Sequence, residues 1–129
     1  MDVLVVDGAN VVGSVPDGWW RDRAGAAARL HTALAAADLP YDVVELVLEG
    51  AARAGVPQGS EGSEGSESGV TTVHASGSGD DEIVHRCAGH AAVGDRVVVA
   101  TADRELIERV VAHGATTIGP KELRRGLPR

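Results

Sequence analysis

An α/β domain built on a parallel sheet covered on both faces is what this sequence predicts, and three observations carry the prediction. Short β-branched runs recur at residues 3–6, 43–48, 70–74 and 97–100. They are almost continuously apolar, as strands buried from both sides are, and lack the alternation of a half-exposed sheet. Between most of them stand segments whose apolar residues repeat at helical spacing, and strands alternating with helices mark parallel βαβ units.

Each element follows from its residues. Val3 to Val6 forms a first, fully buried strand. A helix is expected over 20–37, with Trp20, Ala24, Ala27, Leu30 and Leu34 on one face and Asp17 as its cap. The second strand, 43–48, ends at Glu49-Gly50, and the third covers 70–74. A helix over 80–92 leads to the fourth strand at 97–100. Leu106, Ile107, Val110 and Val111 define the next helix, which stops near Gly114. A short last strand is expected at 115–118, and Pro120 opens a final helical turn. Residues 58–68 repeat Gly, Ser and Glu with no apolar side chain, so they are read as a flexible surface loop within one domain spanning 1–129.

Composition narrows the class further. A chain of 129 residues has the usual size of a single domain with one real core. Phe is absent and aromatics make up 2%, so that core is aliphatic. No apolar stretch approaches the length of a membrane span, and no basic segment precedes the first apolar run. The lone Cys87 has no partner for an internal disulfide, which fits a cytoplasmic location. Neither a Gly-x-Gly-x-x-Gly fingerprint nor a P-loop occurs. Ala9 stands where a haloacid-dehalogenase-type phosphotransferase needs a second Asp. A receiver domain would require an early acidic pair, and Asp7 is alone.

The informative feature is where the acids fall. Asp7 follows the first strand, Asp80 and Asp81 follow the third, and Asp103 follows the fourth. In a parallel sheet the carboxyl ends of all strands share one edge, so residues far apart in sequence meet there. Any one Asp at such a position is an ordinary helix cap. As a set they repel one another, and a hard cation with oxygen ligands is the usual remedy. Asp80-Asp81-Glu82 carries more charge than a cap needs, and Gly8-Ala9-Asn10 begins no clear helical period. The expectation is a Mg2+ or Mn2+ site for phosphodiester chemistry, with Asp7 and Asp103 as ligands, Asp80 a direct or water-bridged one, and Asp81 or Glu49 as orienter or second ligand.

Candidate nucleic-acid contacts are Asn10, Ser78 and Thr101, each also a natural turn or capping residue, and Arg21 and Arg23 beside Trp19 and Trp20. One of these tryptophans is free to stack an unpaired base, although packing in the core is the commoner use. The net charge of −7 leaves room for local phosphate contacts but not for a broad basic surface. His85-x-Cys87-x-x-His90 has too few ligands in helical phase for structural zinc.

Three motifs in order carry a family resemblance: Asp7-Gly8-Ala9-Asn10, Gly79-Asp80-Asp81-Glu82-Ile83, and Thr101-Ala102-Asp103-Arg104-Glu105-Leu106. Together they resemble the NYN domains of the PIN-like nuclease superfamily, with the YacP-like branch the best match. The resemblance implies a three-layer α/β/α sandwich around a mostly parallel sheet of order 3-2-1-4-5. It also implies a metal-dependent endoribonuclease, a hydrolase that would hold Mg2+ or Mn2+ through Asp7, Asp80 and Asp103 and act on RNA, including structured or ribosome-associated RNA. A catalytically inactive RNA-binding or regulatory module on the same scaffold is the alternative.

Overall fold

In the computed structural model, which describes residues 1–60 and 69–128, five parallel strands form the sheet. In chain order the elements are β1 (Asp2–Asp7), α1 (Gly8–Val12), α2 (Arg23–Ala36), β2 (Val43–Leu48), β3 (Gly59–Ser60), β4 (Val70–His74), α3 (Gly79–Ala92), β5 (Arg96–Ala100), α4 (Arg104–Val111), β6 (Thr116–Ile118) and α5 (Pro120–Arg125). The sheet runs β3-β4-β2-β1-β5-β6. Without the two-residue β3, which pairs antiparallel to β4 at the edge, this is the 3-2-1-4-5 order of the expected fold.

Strand β1 lies in the middle because it is apolar on both faces. Val3 and Val5 join Val47, Ile83, Val99 and Leu106 on the side of α3 and α4. Leu4 and Val6 join Leu30, Leu34, Leu46 and Leu48 on the side of α1, α2 and α5. Successive strand residues point to opposite faces, so one run fills two cores. In register, Asp7 lies opposite Val47 of β2, and Val6 opposite Ala100 of β5. The chain leaves β1 toward β2 on one side and reaches β5 on the other, which makes the β1/β5 edge a topological switch point.

Three local expectations are corrected. The helix expected over 20–37 begins later: Asp22 takes a non-helical conformation and its carboxylate accepts the Gly25 N–H at 2.9 Å, capping α2 in place of Asp17. Trp19 and Trp20 fall in a separate 3₁₀ turn, Trp19–Arg21. The segment after Asp7 is a short helix, with Asp7 accepting the Asn10 N–H at 3.3 Å as its N-cap. Finally, the Gly/Ser/Glu tract is structured at its start: Gly59 and Ser60 pair with Thr72 and Thr71, and Gln58 accepts the His74 N–H at 3.0 Å. The rest of that loop lies outside the described residues.

A charged group that sequence reasoning missed lies inside the α3-side core. Glu45 on β2 is 3% exposed. Arg86 donates to both of its carboxylate oxygens, and His90 Nε2 lies 3.0 Å from Oε1. Asp95 meets the other ring nitrogen of His90 at 3.1 Å. Burial pushes the Glu45 carboxyl upward, but the Arg86 and His90 contacts outweigh it and hold the group below the usual range. The signal was present as a lone acid within Val43-Val44-Glu45-Leu46-Val47, opposite a helix with Arg and His four residues apart.

Candidate active site at the carboxyl edge of the sheet

Asp7 forms the floor of the site. It is 5% exposed at the end of the central strand. Its Oδ2 accepts the Thr101 hydroxyl at 2.9 Å, and its Oδ1 accepts the Asn10 N–H. Burial is the main force on this carboxyl and pushes its pKa up to about 6. The two hydrogen bonds oppose the rise, while the charges of Asp80 and Glu49 add to it. Among the described residues, no basic side chain forms an ion pair with it.

Thr101 and Asn10 sew the switch point together. The Thr101 oxygen, besides donating to Asp7, accepts the Asp103 N–H at 3.1 Å. Asn10 Oδ1 accepts the Ala102 N–H at 2.8 Å, tying α1 to the β5–α4 loop. Both polar groups expected to touch RNA are therefore engaged in holding Asp7 and Asp103 in place. Asp103 caps α4, its Oδ1 accepting the Leu106 N–H at 3.1 Å.

Asp80 and Glu49 complete the crevice. Burial, then the charges of Asp103 and Glu49, raise the Asp80 carboxyl above its ordinary value, while Arg109 offsets part of the rise. Glu49 lies against the start of α3: a methyl group added to Gly79 would stand 2.6 Å from Glu49 Oε1. Four segments distant in sequence thus come to one edge, where Asp7 feels the charges of Asp80 and Glu49, and Asp80 those of Glu49 and Asp103. Asp81 is set apart. Its side chain is 72% exposed and accepts from Arg109 Nη2 at 2.9 Å. Ser78 is the α3 cap, accepting the Asp81 N–H.

The donor chemistry is that of a hard divalent cation: carboxylate oxygens, too much negative charge, and a floor withdrawn from water. Among the described residues, no three His, Cys, Asp or Glu side chains already stand together as a metal-holding group. Asp7 and Asp103 are meanwhile engaged as caps.

Beyond Glu49 the crevice opens into a cavity of about 470 Å³ bounded by Trp19, Arg23, Gly8 and the Gly50–Gly55 turn. The Arg23 guanidinium lies 4.8 Å from the centre of the Trp19 ring. Arg21 stacks more loosely on Trp20, at 5.9 Å, and does not border the cavity. Trp19 reaches this space from the 3₁₀ turn that precedes α2.

The architecture is an α/β/α sandwich around a parallel sheet. Its likeness to known structures is clear: the chain superposes on the crystal structure of Rae1 (YacP) from Bacillus subtilis with a TM-score of 0.69 and 21% identity, covering 97% of this chain and 72% of that one. The W164L mutant of the same protein gives 0.73 and 20% identity, over 97% and 74%. The chain has the fold of these proteins. Comparison of the sequence with protein-family descriptions and with curated proteins gives no match.

Proposed function

We propose that the chain is a divalent-metal-dependent ribonuclease of the cytoplasm. The observation that carries this reading is the meeting of four carboxylates at the switch point, with Asp7 buried, unneutralised and pushed up to about 6. The YacP-like fold supports it. When bound through Asp7, Asp80 and Asp103, Mg2+ or Mn2+ would polarise the scissile phosphodiester and lower the pKa of a coordinated water.

The remaining work belongs to the chain. Asp7, with its carboxyl at about 6, is largely ionised at neutral pH and so offers its oxygens to a cation. Thr101 fixes the rotamers of the Asp7 and Asp103 region through one hydroxyl. Glu49, pressed against α3, accepts a hydrogen bond from the attacking water and orients it. Arg23, on the far side of Glu49, offsets the charge of a neighbouring phosphate. Asp81 serves outside the crevice, holding Arg109.

The test is incubation of end-labelled RNA with the purified protein in Mg2+, in Mn2+ and in EDTA. Cleavage with either metal, lost in EDTA and in Asp103→Asn, is expected. RNA binding with no cleavage in any condition would instead identify a binding module, the reading favoured by the double use of Asp7 and Asp103 as helix caps.

Asp80 and Asp81 separate the ligand from the bystander. Asp80→Ala should weaken Mn2+ binding in titration calorimetry by about tenfold or more. Asp81→Ala, which removes an exposed acid paired with Arg109, should change it by less than about threefold. Equal effects would place Asp80 outside the ligand set.

A further inference from the structure

We propose that the cavity between Trp19, Arg23 and the Gly50–Gly55 turn receives one unpaired nucleobase of the RNA, making single-stranded RNA the substrate; this rests on the ribonuclease reading of the adjoining carboxylates. Three observations converge on it. At about 470 Å³ the space has the size of a small-molecule pocket, and its walls are small or apolar, with Gly8, Ala9, Ala51 and Ala52 leaving it open. The Arg23 guanidinium lies over the Trp19 ring at 4.8 Å, and the pair forms a cationic shelf on one side. Unpaired bases are held by stacking on aromatic rings and on guanidinium planes alike. Trp20 meets Trp19 edge-on at 5.8 Å and 88°, which fixes the ring that backs the shelf.

The third observation is Glu49. It lines the cavity and its carboxylate also lies against Gly79 at the start of α3, beside Asp80, so it is shared by cavity and crevice. A base seated on the shelf therefore places its own phosphate next to the carboxylates. A base held in a helix is stacked and paired and cannot enter, so the cavity selects unpaired RNA. Stacking reads the π-face common to all four bases, so discrimination among them is weak. Arg23 brings positive charge to the rim of a chain whose net charge is −7.

The experiment uses the scarcity of tryptophan. The chain has two, and Trp20, at 51% exposed, is replaced by Phe so that Trp19 emits alone. Its fluorescence is titrated in EDTA with a single-stranded RNA heptamer and with the same heptamer in duplex. Quenching is expected with the single strand, at an affinity at least about tenfold above the duplex. Ala51→Phe fills the cavity from an exposed turn position, and Arg23→Ala removes half of the shelf from an exposed one. Each should weaken single-strand binding about tenfold, with unchanged circular dichroism.

Equal binding of single strand and duplex, or unchanged binding in folded Ala51→Phe and Arg23→Ala, overturns the proposal. Because the titration needs neither metal nor turnover, quenching without cleavage would retain the base site and remove the nuclease. Cleavage without quenching would do the reverse.

Discussion

Asp7→Asn should yield a protein that is more stable without metal and inactive with it. The two effects have one cause. The Asp7 carboxyl is raised from 3.8 to about 6 in the folded chain, so between those values the native state binds a proton that the unfolded state does not. Metal-free stability is greatest below this window and falls as pH rises through it. The ionised group costs about 3 kcal/mol at neutral pH. Asparagine avoids that cost but forfeits part of the pairing to Thr101 or Asn10, worth about 1 kcal/mol. A net gain of about 2 kcal/mol, or roughly 5 °C in Tm, is expected at pH 7.5. The gain should vanish near pH 4, where the wild-type acid is protonated. Cleavage should fall by a factor on the order of 10³, since a lost ligand removes several kcal/mol of charge stabilisation. Thermal melts of both proteins from pH 4 to 8 in EDTA, with cleavage assays in Mn2+, check both halves. A mutant that melts below wild type at pH 7.5 would show that the Asp7 charge is already compensated.

The largest loss of stability should come from Glu45. Its removal in Glu45→Ala strands Arg86 and His90 against an apolar layer and opens a void above β2. Breaking a buried ion pair on one side costs about 3–5 kcal/mol, and the partial exposure of Arg86 brings this nearer about 3. That is a large share of the usual stability of a domain. The double change Glu45→Leu with Arg86→Met should recover most of it, because the pair is then replaced by packing of similar volume. The Glu45 carboxyl is held below its ordinary 4.5, so its contribution is complete above that value and is lost as pH falls through the lower, folded one. Urea melts of the three proteins at pH 7 and pH 4 separate these terms. A single mutant as stable as wild type would mean that the charges contribute nothing net.

Much of the scaffold is legible because β-branched runs and helical spacing are local properties. The runs at 43–48 and 70–74 coincide with β2 and β4, and the helix expected over 80–92 differs from α3 by one residue. The meeting of Asp7, Asp80 and Asp103 at one edge was legible for a related reason, since a parallel sheet gathers its strand ends whatever their distance in sequence. What escaped depends on competition between neighbours or on remote partners. Asp17 and Asp22 are both reasonable caps, and only the Gly25 contact decides between them. Glu45 meets residues 41 and 45 positions away, which no local pattern announces. Thr101 has the residue type of a phosphate contact, yet its hydroxyl is occupied from both sides.

The way the Thr101 hydroxyl is shared has a consequence for timing. Its hydrogen goes to a residue of the first strand and its lone pair to the loop after β5, so the bond can form only once β5 has been made and set beside β1. The acids of the crevice are likewise spread from position 7 to position 103. A chain halted partway through synthesis or refolding holds some of these carboxylates and none of their arrangement. On the ribonuclease reading, any ability to cut would thus arrive only once β5 is in place, and copies halted before it would be harmless to the RNA around them.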